Sequence, residues 1–375
     1  MPGSAAGVRK TLVVVQFAVS ILLIIGTIVI KCQVDFIRSK ELGYDRQHLL
    51  WFPNTVAQDI SDRGVEAFKK VPGVTHVSRG SMTFTSPNNR STDVHWPGKK
   101  AGEEVFFNLI TSDHDIIETM GIAMKEGRAF SRDFATDTSA FIVNEEAARR
   151  MGLVDPVGQV IETGGIRGPI VGVAKDFHFE SMHNPIGPVV IQCKPEWTWL
   201  FYVRTDGRDI QQTLRGLEDV YKRMAPGTVF DYTFQDKEYE RLFRSESQIG
   251  TLVNWFAFLA IFISCLGLLG LTIYTVERRM KEIGIRKVLG ASVPTIVRLL
   301  SRELLLLVGI SALIAFPLAW WAMQSWLADF AYRISMSWWI FLAAGLLAAS
   351  IALLTIGIQA IRAALTNPIE SLRSE

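Results

Sequence analysis

Four long apolar stretches dominate the pattern of hydrophobic and polar positions along the chain. They cover residues 11–30, 247–276, 304–328 and 334–361, and none of them contains a charged side chain. Each exceeds the roughly 18 apolar residues that mark a membrane-spanning helix, whereas apolar runs in buried helices of soluble proteins rarely exceed about 14 residues. The stretches also lack the apolar and polar alternation of barrel strands. The pattern therefore predicts an integral membrane protein with four transmembrane helices.

Charged residues between these stretches predict how the chain crosses the membrane. Residues 277–302 carry seven Lys and Arg side chains, and basic loops of this kind stay on the cytoplasmic side. The connection at 329–333 is short and carries a single Arg. We therefore expect both termini and residues 277–302 in the cytoplasm, and the long segment between the first two spans outside it, in the periplasm or the extracellular space.

The segment outside the membrane is a large acidic domain. Residues 32–248 carry 26 Lys and Arg against 31 Asp and Glu, a net charge of −5, and the remainder of the chain has a net charge of +7. An acidic outer domain argues against nucleic-acid binding. The predicted segments are 1–31 (N-terminal tail and first span), 32–248 (outer domain), 249–276 (second span), 277–302 (cytoplasmic segment), 303–328 (third span), 334–361 (fourth span) and 362–375 (cytoplasmic tail).

The outer domain has the pattern of an α+β fold. Strand, helix and strand are predicted in that order near its start, at 48–52, 57–70 and 74–81, and the order recurs near its end, at 200–204, 209–224 and 229–234. Two such βαβ units predict a ferredoxin-like sheet covered by two helices. Residues 82–198 would be inserted between the units, with a strand at 141–143, a helix at 144–151 and a strand at 170–173.

The outer domain offers little candidate chemistry. Asp176, His178 and His183 have a spacing that could ligate a metal, but no cysteine pair or H-E-x-x-H motif accompanies them, so ordinary surface or turn residues are the favoured interpretation. Ser and His occur without a G-x-S-x-G motif, which leaves a hydrolase triad as a background possibility. We expect no catalytic residues, no metal and no cofactor. Adjacent acids in expected loops are interpreted as solvated surface: Glu103 with Glu104, and Asp113 with Asp115.

The basic segment between the second and third spans has a more specific pattern. Glu282 and Arg286 are four residues apart in the favourable order for a helical ion pair, so a short charged helix is predicted. Gly290 is placed to end that helix, Ser292 to cap the next one, and Pro294 to lie in its first turn. The alternative is a charged loop that only obeys the positive-inside rule. The candidate coupling residues are Lys281, Glu282, Ile283, Gly284, Ile285, Arg286, Lys287, Val288, Leu289, Gly290 and Ala291.

This segment carries a resemblance to a known family. Its run KEIGIRKVLGA resembles the signature of FtsX-like permease domains, found in MacB-like ABC transporters, and the resemblance implies a coupling segment that contacts the ATPase subunit. The tail at 367–372 is similar to the end of that family. Four runs in the outer domain resemble the MacB-type periplasmic core domain: 120–122, 126–128, 143–145 and 172–178.

The resemblance implies an architecture and a location. It implies four transmembrane helices in a bacterial cell (inner) membrane and an outer domain with Porter-like and Sabre-like parts between helices 1 and 2. The runs at 15–17 and 43–44 look most like the second half of the eight-span permeases of Bacteroidota. The chain is therefore interpreted either as a complete permease or as half of one.

Function is inferred from this resemblance and from two features of the sequence. No G-x-x-x-x-G-K-[ST] occurs, so ATP is expected to bind a partner ATPase, and the uncharged spans disfavour an ion pathway. We expect a non-enzymatic permease that transmits ATP-driven motion to the outer domain, by mechanotransmission, for export or extraction of a substrate. The alternative is a membrane-anchored sensor or regulator. The sequence does not identify the substrate.

Further partners follow from the fourth span and the resemblance. A face of small residues permits close helix packing, either within one subunit or against a second permease half or identical subunit. A periplasmic adaptor is a further candidate partner, beside the lipid bilayer. The small residues proposed for helix packing are Ala344, Gly345, Ala348, Ala349 and Ala352.

Overall fold

The chain divides into two compact units. A computed structural model describes residues 3–85, 89–180, 182–278, 282, 285, 286, 289 and 292–365. Unit 1 comprises Met1–Arg38 and Ser245–Glu375, and unit 2 comprises Ser39–Arg244. The helices are α1 (Gly3–Ser39), α2 (Gln58–Lys69), α3 (Ile116–Met120), α4 (Glu145–Met151), α5 (Ile210–Met224), α6 (Gln235–Leu242), α7 (Arg244–Arg278), α8 (Val293–Ala328) and α9 (Trp338–Leu365).

The strands all lie in unit 2. They are β1 (Leu49–Pro53), β2 (Val74–Gly80), β3 (Arg90–Ser91), β4 (Val94–His95), β5 (Phe107–Ser112), β6 (Met124–Gly127), β7 (Phe141–Asn144), β8 (Val160–Thr163), β9 (Ile166–Ala174), β10 (Val189–Cys193), β11 (Leu200–Thr205) and β12 (Thr233–Phe234). They form one sheet in the order β12-β1-β11-β2-β5-β10-β7-β9-β8-β4, and β3 and β6 pair with β5 and β9 beside this path.

Unit 1 contains helices that match the predicted spans. The helices α1, α7, α8 and α9 are long and apolar enough to cross a membrane, judged by length and composition. At a rise of 1.5 Å per residue, the 37 residues of α1 extend for about 55 Å, well beyond a hydrocarbon core of about 30 Å. The fold class predicted from the apolar pattern, four transmembrane helices with an α+β domain between the first and second, is confirmed.

The two ends of unit 2 pack together as a ferredoxin-like half. Strands β12, β1, β11 and β2 are neighbours in that order and pair antiparallel, as expected when two βαβ units interlock. On the helices, Phe68 of α2 and Leu217 and Tyr221 of α5 are buried in one core with Phe52 and Phe201 of the sheet. The structure differs from the prediction at 229–234, where a six-residue strand was expected. Only Thr233–Phe234 (β12) pairs with the sheet.

The chain between β2 and β11 forms the insert half, which has its own core. Its strands β5 and β10 pair in parallel, as do β7 and β9, and Phe107, Phe141 and Trp96 pack in a core separate from that of the ferredoxin-like half. Where the two halves meet, the ladder between β2 and β5 consists of a single residue pair, Gly80 with Ser112. The sheet is therefore continuous but narrow at the junction.

The side chain of Asn144 fastens the insert half at the start of α4. Its Oδ1 accepts hydrogen bonds from the amides of Ala147 (3.0 Å) and Val189 (2.8 Å). Its Nδ2 donates to Asp176 Oδ1 (2.9 Å) and to the Gly187 carbonyl (3.0 Å). Asn144 is completely buried, so removal of the amide takes away all four bonds inside the core.

We therefore predict that Asn144→Ala destabilises the insert half by about 2–4 kcal/mol, because it removes the helix cap and leaves buried partners unsatisfied. Hydrogen exchange of the chain in nanodiscs should be at least about 30-fold faster in peptides from β7 and β10. The control is Asn184→Ala, whose exposed side chain bonds only Glu180. Equal exchange in the two variants would contradict the role of Asn144.

Candidate functional site

The coupling segment, residues 281–291, follows α7 closely. Its described members are Glu282, Ile285, Arg286 and Leu289, and the other candidate coupling residues lie outside the described part of the chain. Glu282 and Arg286 form an ion pair of 2.7 Å between carboxylate and guanidinium. The amide of Leu289 donates to the carbonyl of Ile285 at 3.0 Å. Both contacts have the i, i+4 spacing of a helix.

The two described apolar side chains of this segment, Ile285 and Leu289, are largely exposed. Ile285 is 54% exposed and Leu289 is 80% exposed. Residues four apart lie on the same side of a helix, so the two side chains form one apolar strip. The adjacent ion pair is exposed and contributes only about 0.3–0.5 kcal/mol. Burial of the strip would therefore contribute more free energy than the ion pair does.

The helix α8 begins directly after the coupling segment. Ser292 occupies the predicted N-cap position and Pro294 lies in the first turn. The cap differs from the expected one, because the hydroxyl of Ser292 contacts the Thr295 hydroxyl (3.0 Å) rather than a backbone amide. About three turns into α8, the carboxylate of Glu303 forms an ion pair of 2.5 Å with Lys10 of α1. This ion pair joins α8 to α1.

Polar contacts inside unit 1 attach α1 to the other helices at several levels. The hydroxyl of Ser311 donates to the carbonyl of Val14 at 3.0 Å, and the hydroxyls of Ser20 and Ser264 are 3.0 Å apart. At the other end, the fully buried amide of Gln33 donates to the Tyr332 carbonyl and accepts from the amide of Ile334, both at 2.9 Å. Sequence reasoning missed this role of Gln33, although a Gln three positions beyond an apolar stretch was a visible signal.

The predicted small face of α9 lies inside unit 1. Ala344, Ala348 and Ala352 are buried in the helix core. A Cβ added to Gly345 would lie 3.4 Å from the ring of Phe316, so α8 and α9 approach closely there. Ala349 is only half-buried. The buried alanines therefore pack within this chain and do not present a free face to a second subunit.

In unit 2 the structure corrects the interpretation of Asp113 as solvated surface. Asp113 is 1% exposed and accepts a short hydrogen bond from the hydroxyl of Ser78. The guanidinium of Arg79, also buried, lies 3.7 Å away and donates to Ser61 (2.8 Å) and Asp62 (2.6 Å). Burial raises the pKa of Asp113, and the bond from Ser78 opposes this effect. The group is a polar contact that joins β2 to the end of β5.

Asp115 is also paired rather than freely solvated. Its carboxylate accepts from Lys69 at 2.9 Å and from Arg132 at 2.6 Å. Burial alone would raise the pKa of Asp115, but these two cations outweigh it and the pKa is lowered. The pair Glu103 and Glu104 lies in a surface loop, as predicted.

The candidate metal residues do not converge. Asp176 is bonded to Asn144 and to the amide of Glu146 (2.8 Å). His178 is buried, and burial, with the charge of Lys40 second, lowers its pKa to about 4. Across the described ranges, no group of three or more His, Cys, Asp or Glu side chains is placed to hold a metal.

Two family models match the chain. The model described as FtsX-like permease C-terminal matches residues 254–368, which include the coupling segment. The model described as MacB-like periplasmic core domain matches residues 11–220, more than half of the chain.

Curated proteins with a common name are similar in sequence to this chain. Macrolide export ATP-binding/permease protein MacB of Escherichia coli is 23% identical over 336 residues, 85% of this chain and 51% of that protein. The protein of the same name from Sodalis glossinidius is 25% identical over 314 residues, 79% of this chain and 48% of that protein. The chain thus spans about half the length of these relatives.

Among solved structures, the periplasmic region of MacB from Actinobacillus actinomycetemcomitans aligns with a TM-score of 0.40 and 10% identity, over 55% of this chain and 98% of that one. The extracellular domain of the noncanonic ABC-type transporter YknZ from Gram-positive bacteria aligns with a TM-score of 0.36 and 17% identity, over 49% of this chain and 96% of that one.

The buried His178 predicts a loss of stability in mild acid. It is neutral in the folded chain, whereas an unfolded histidine takes up a proton below about pH 6.5. Its contribution is therefore complete above pH 6.5 and is lost as the pH falls toward 4. Between pH 7 and pH 5 the free energy of unfolding of the outer domain should fall by about 2 kcal/mol from this group.

The measurement is pulse proteolysis in urea at both pH values. His178→Gln should remove this part of the pH dependence, and His76→Gln, on an exposed histidine, should retain it. An unchanged pH dependence in His178→Gln would contradict the assignment.

Proposed function

The chain belongs to the family of proteins with a MacB-like periplasmic core domain, and we propose that it is the permease subunit of an ABC transporter, driven by a partner ATPase. In this proposal ATP-driven motion of the partner moves the coupling segment. The helices of unit 1 transmit that motion to the outer domain, which exports or extracts a substrate. The chain itself performs no catalysis.

The apolar strip of the coupling segment is the observation that carries this proposal. Ile285 and Leu289 are exposed beside a charged helical turn, whereas a loop that only obeys the positive-inside rule needs no exposed apolar side chains. Burial of such a side chain against a partner contributes roughly 1.5–3 kcal/mol. Two of them are enough to form the centre of a specific contact, and Arg286 beside them would orient it.

The absence of a P-loop from the sequence supports a separate source of energy. The relatives that match are ATP-binding/permease proteins roughly twice as long as this chain, and the sequence contains no G-x-x-x-x-G-K-[ST]. In our proposal, a partner supplies the ATP-binding function. A second copy of the chain, or another permease half, completes the assembly, and an adaptor on the outer side is a further partner.

Polar contacts within unit 1 support transmission of motion through the membrane. The ion pair between Lys10 and Glu303 and the bond from Ser311 to Val14 join α8 to α1 at two levels. The helix α1 leads directly to the outer domain. A sensor or regulator that binds the same partner is the second candidate, and it differs from a transporter in having no substrate that moves when ATP is hydrolysed.

We predict that Leu289→Asp and Ile285→Asp each weaken binding of the partner ATPase by at least about tenfold, because a charge replaces an apolar contact. Each variant is purified in detergent and tested for capture of the ATPase that copurifies with the parent chain. ATP turnover is measured separately in membranes. Val154→Asp is the matched control, since Val154 is 91% exposed and lies in the outer domain. Binding by both coupling variants at the level of this control would refute the proposed contact.

The proposal places the outer domain and the coupling segment on opposite sides of a bacterial inner membrane, with both termini in the cytoplasm. In a chain in which Cys32, Cys193 and Cys265 are replaced by Ser, a single cysteine at position 154 should react with an impermeant maleimide on intact spheroplasts. A cysteine at position 286 should react only after permeabilisation, because Arg286 is accessible in the chain but faces the cytoplasm. The reverse pattern would overturn this orientation.

A further inference from the structure

Residues 42–47, the linker, lead from α1 into unit 2. They pack against the outer domain. Leu42 is 4% exposed and Tyr44 is 7% exposed. The amide of Asp45 donates to the carbonyl of Met120 at 2.9 Å. Such burial is unusual for a short connection between two compact units, since connections normally run over the surface.

A single arginine of the ferredoxin-like half holds this linker from one side. Arg204, on β11, is 12% exposed at its side chain and pairs with the Asp45 carboxylate at 2.7 Å. The same guanidinium donates to the carbonyls of Asp45 (2.7 Å), Gln47 (3.1 Å) and Thr119 (2.7 Å). Arginine suits this position because its planar fork donates to several acceptors at once. These bonds fix the backbone of the linker and also reach the end of α3.

The insert half holds the linker from the other side. The amide of His178 donates to the carbonyl of Leu42 at 2.7 Å. Gly43 has a φ of +77°, and a Cβ added there would lie 2.4 Å from the Asp176 carbonyl oxygen and 2.8 Å from Phe177 Cα. Only glycine fits so close to another backbone. The runs at 43–44 and 172–178, which the sequence showed as separate motifs, thus pack against each other.

The linker also contacts the segment that leads toward α7. The buried amide of Gln235, at the start of α6, donates to the Tyr44 hydroxyl at 3.2 Å. The guanidinium of Arg46 lies 4.4 Å from the ring centroid of Tyr239, a cation–π contact. The ring of Tyr44 packs on Phe84 with centroids 5.6 Å apart. The incoming and outgoing segments of unit 2 are therefore fastened to each other within the unit.

We propose that residues 42–47 form a clamp through which motion of the membrane helices enters both halves of the outer domain at once, with Arg204 as its positioning residue. The clamp bonds to β11 on one side and to residues 176–178 on the other, and the two halves share only one β2–β5 residue pair. A pull on the linker therefore acts on both halves at once, and we expect it to change the distance between them. This inference rests on the proposed transporter function.

The first experiment tests the clamp without any partner. Hydrogen exchange of the full chain in nanodiscs should show the amides of Asp45 and His178 exchanging at least about tenfold faster in Arg204→Gln and in Gly43→Ala. Arg208→Gln is the control for charge, because Arg208 is 90% exposed. Gly98→Ala is the control for backbone strain, because Gly98 has a φ of +88° with nothing within 4 Å of an added Cβ. Faster exchange throughout unit 2 would mean that Arg204 supports the fold, and would overturn its assignment to the clamp.

The second experiment tests transmission. Spin labels at Val154, in the insert half, and Val229, in the ferredoxin-like half, occupy exposed sites (91% and 80%). With the native cysteines replaced and the ATPase bound, their separation in the parent should differ between the ATP-bound and nucleotide-free states. Arg204→Gln and Gly43→Ala should lose this difference while they retain ATPase binding and turnover, and both control variants should keep it.

The outcomes distinguish a failure of the transporter proposal from a failure of the clamp. A parent chain whose distance never responds to ATP would refute mechanotransmission itself. A parent that responds, together with Arg204→Gln and Gly43→Ala variants that respond equally, would leave the transporter proposal standing and overturn the clamp.

Discussion

A bilayer interior supplies no hydrogen-bond partners, and this constraint orders the membrane unit of the chain. Every backbone polar group must be satisfied within a helix, and each buried side-chain hydroxyl must find an acceptor. Some hydroxyls bond to a carbonyl of their own helix, as Thr272 does to Leu268. Others join neighbouring helices: Ser20 with Ser264, and Ser311 with the carbonyl of Val14. Because apolar packing against lipid-like neighbours has little directional preference, such bonds contribute strongly to the relative positions of the helices. They attach α1 to α7 and α8, and the outer domain continues directly from α1.

The sequence predicted the parts of the structure that depend on local pattern. Length and apolar character identified the spans, and the order of strand, helix and strand at each end of the outer domain identified α2 and α5. The ion pair of Glu282 with Arg286 follows from spacing alone. The structure corrected what depends on distant partners. Asp113 is buried because Ser78 and Arg79, on another strand, surround it, and no neighbouring residue in the sequence signals this.

Two other features escaped prediction for different reasons. The strand β10 was visible as a short apolar run, Val189–Cys193, but such a run does not reveal its partners, which lie in β5 and β7. The linker was visible only as the pair Gly43 and Tyr44. Its burial depends on Arg204, about 160 positions later, so no window of local sequence contains both members of the contact. Long-range polar contacts are thus the part of this fold that sequence pattern leaves open.

The insert half begins and ends at one point of the ferredoxin-like half. Gly80, the last residue of β2, pairs directly with Leu200, the first residue of β11, and the whole insert half lies between them in the sequence. The strands β2 and β11 are antiparallel neighbours, so a short turn between them would close an ordinary hairpin. The architecture is therefore modular. The small sheet with its two helices forms one scaffold, and the connection between β2 and β11 is a position where one insert can be exchanged for another during evolution. A different insert at this hairpin would leave the pairing of β2 with β11 intact.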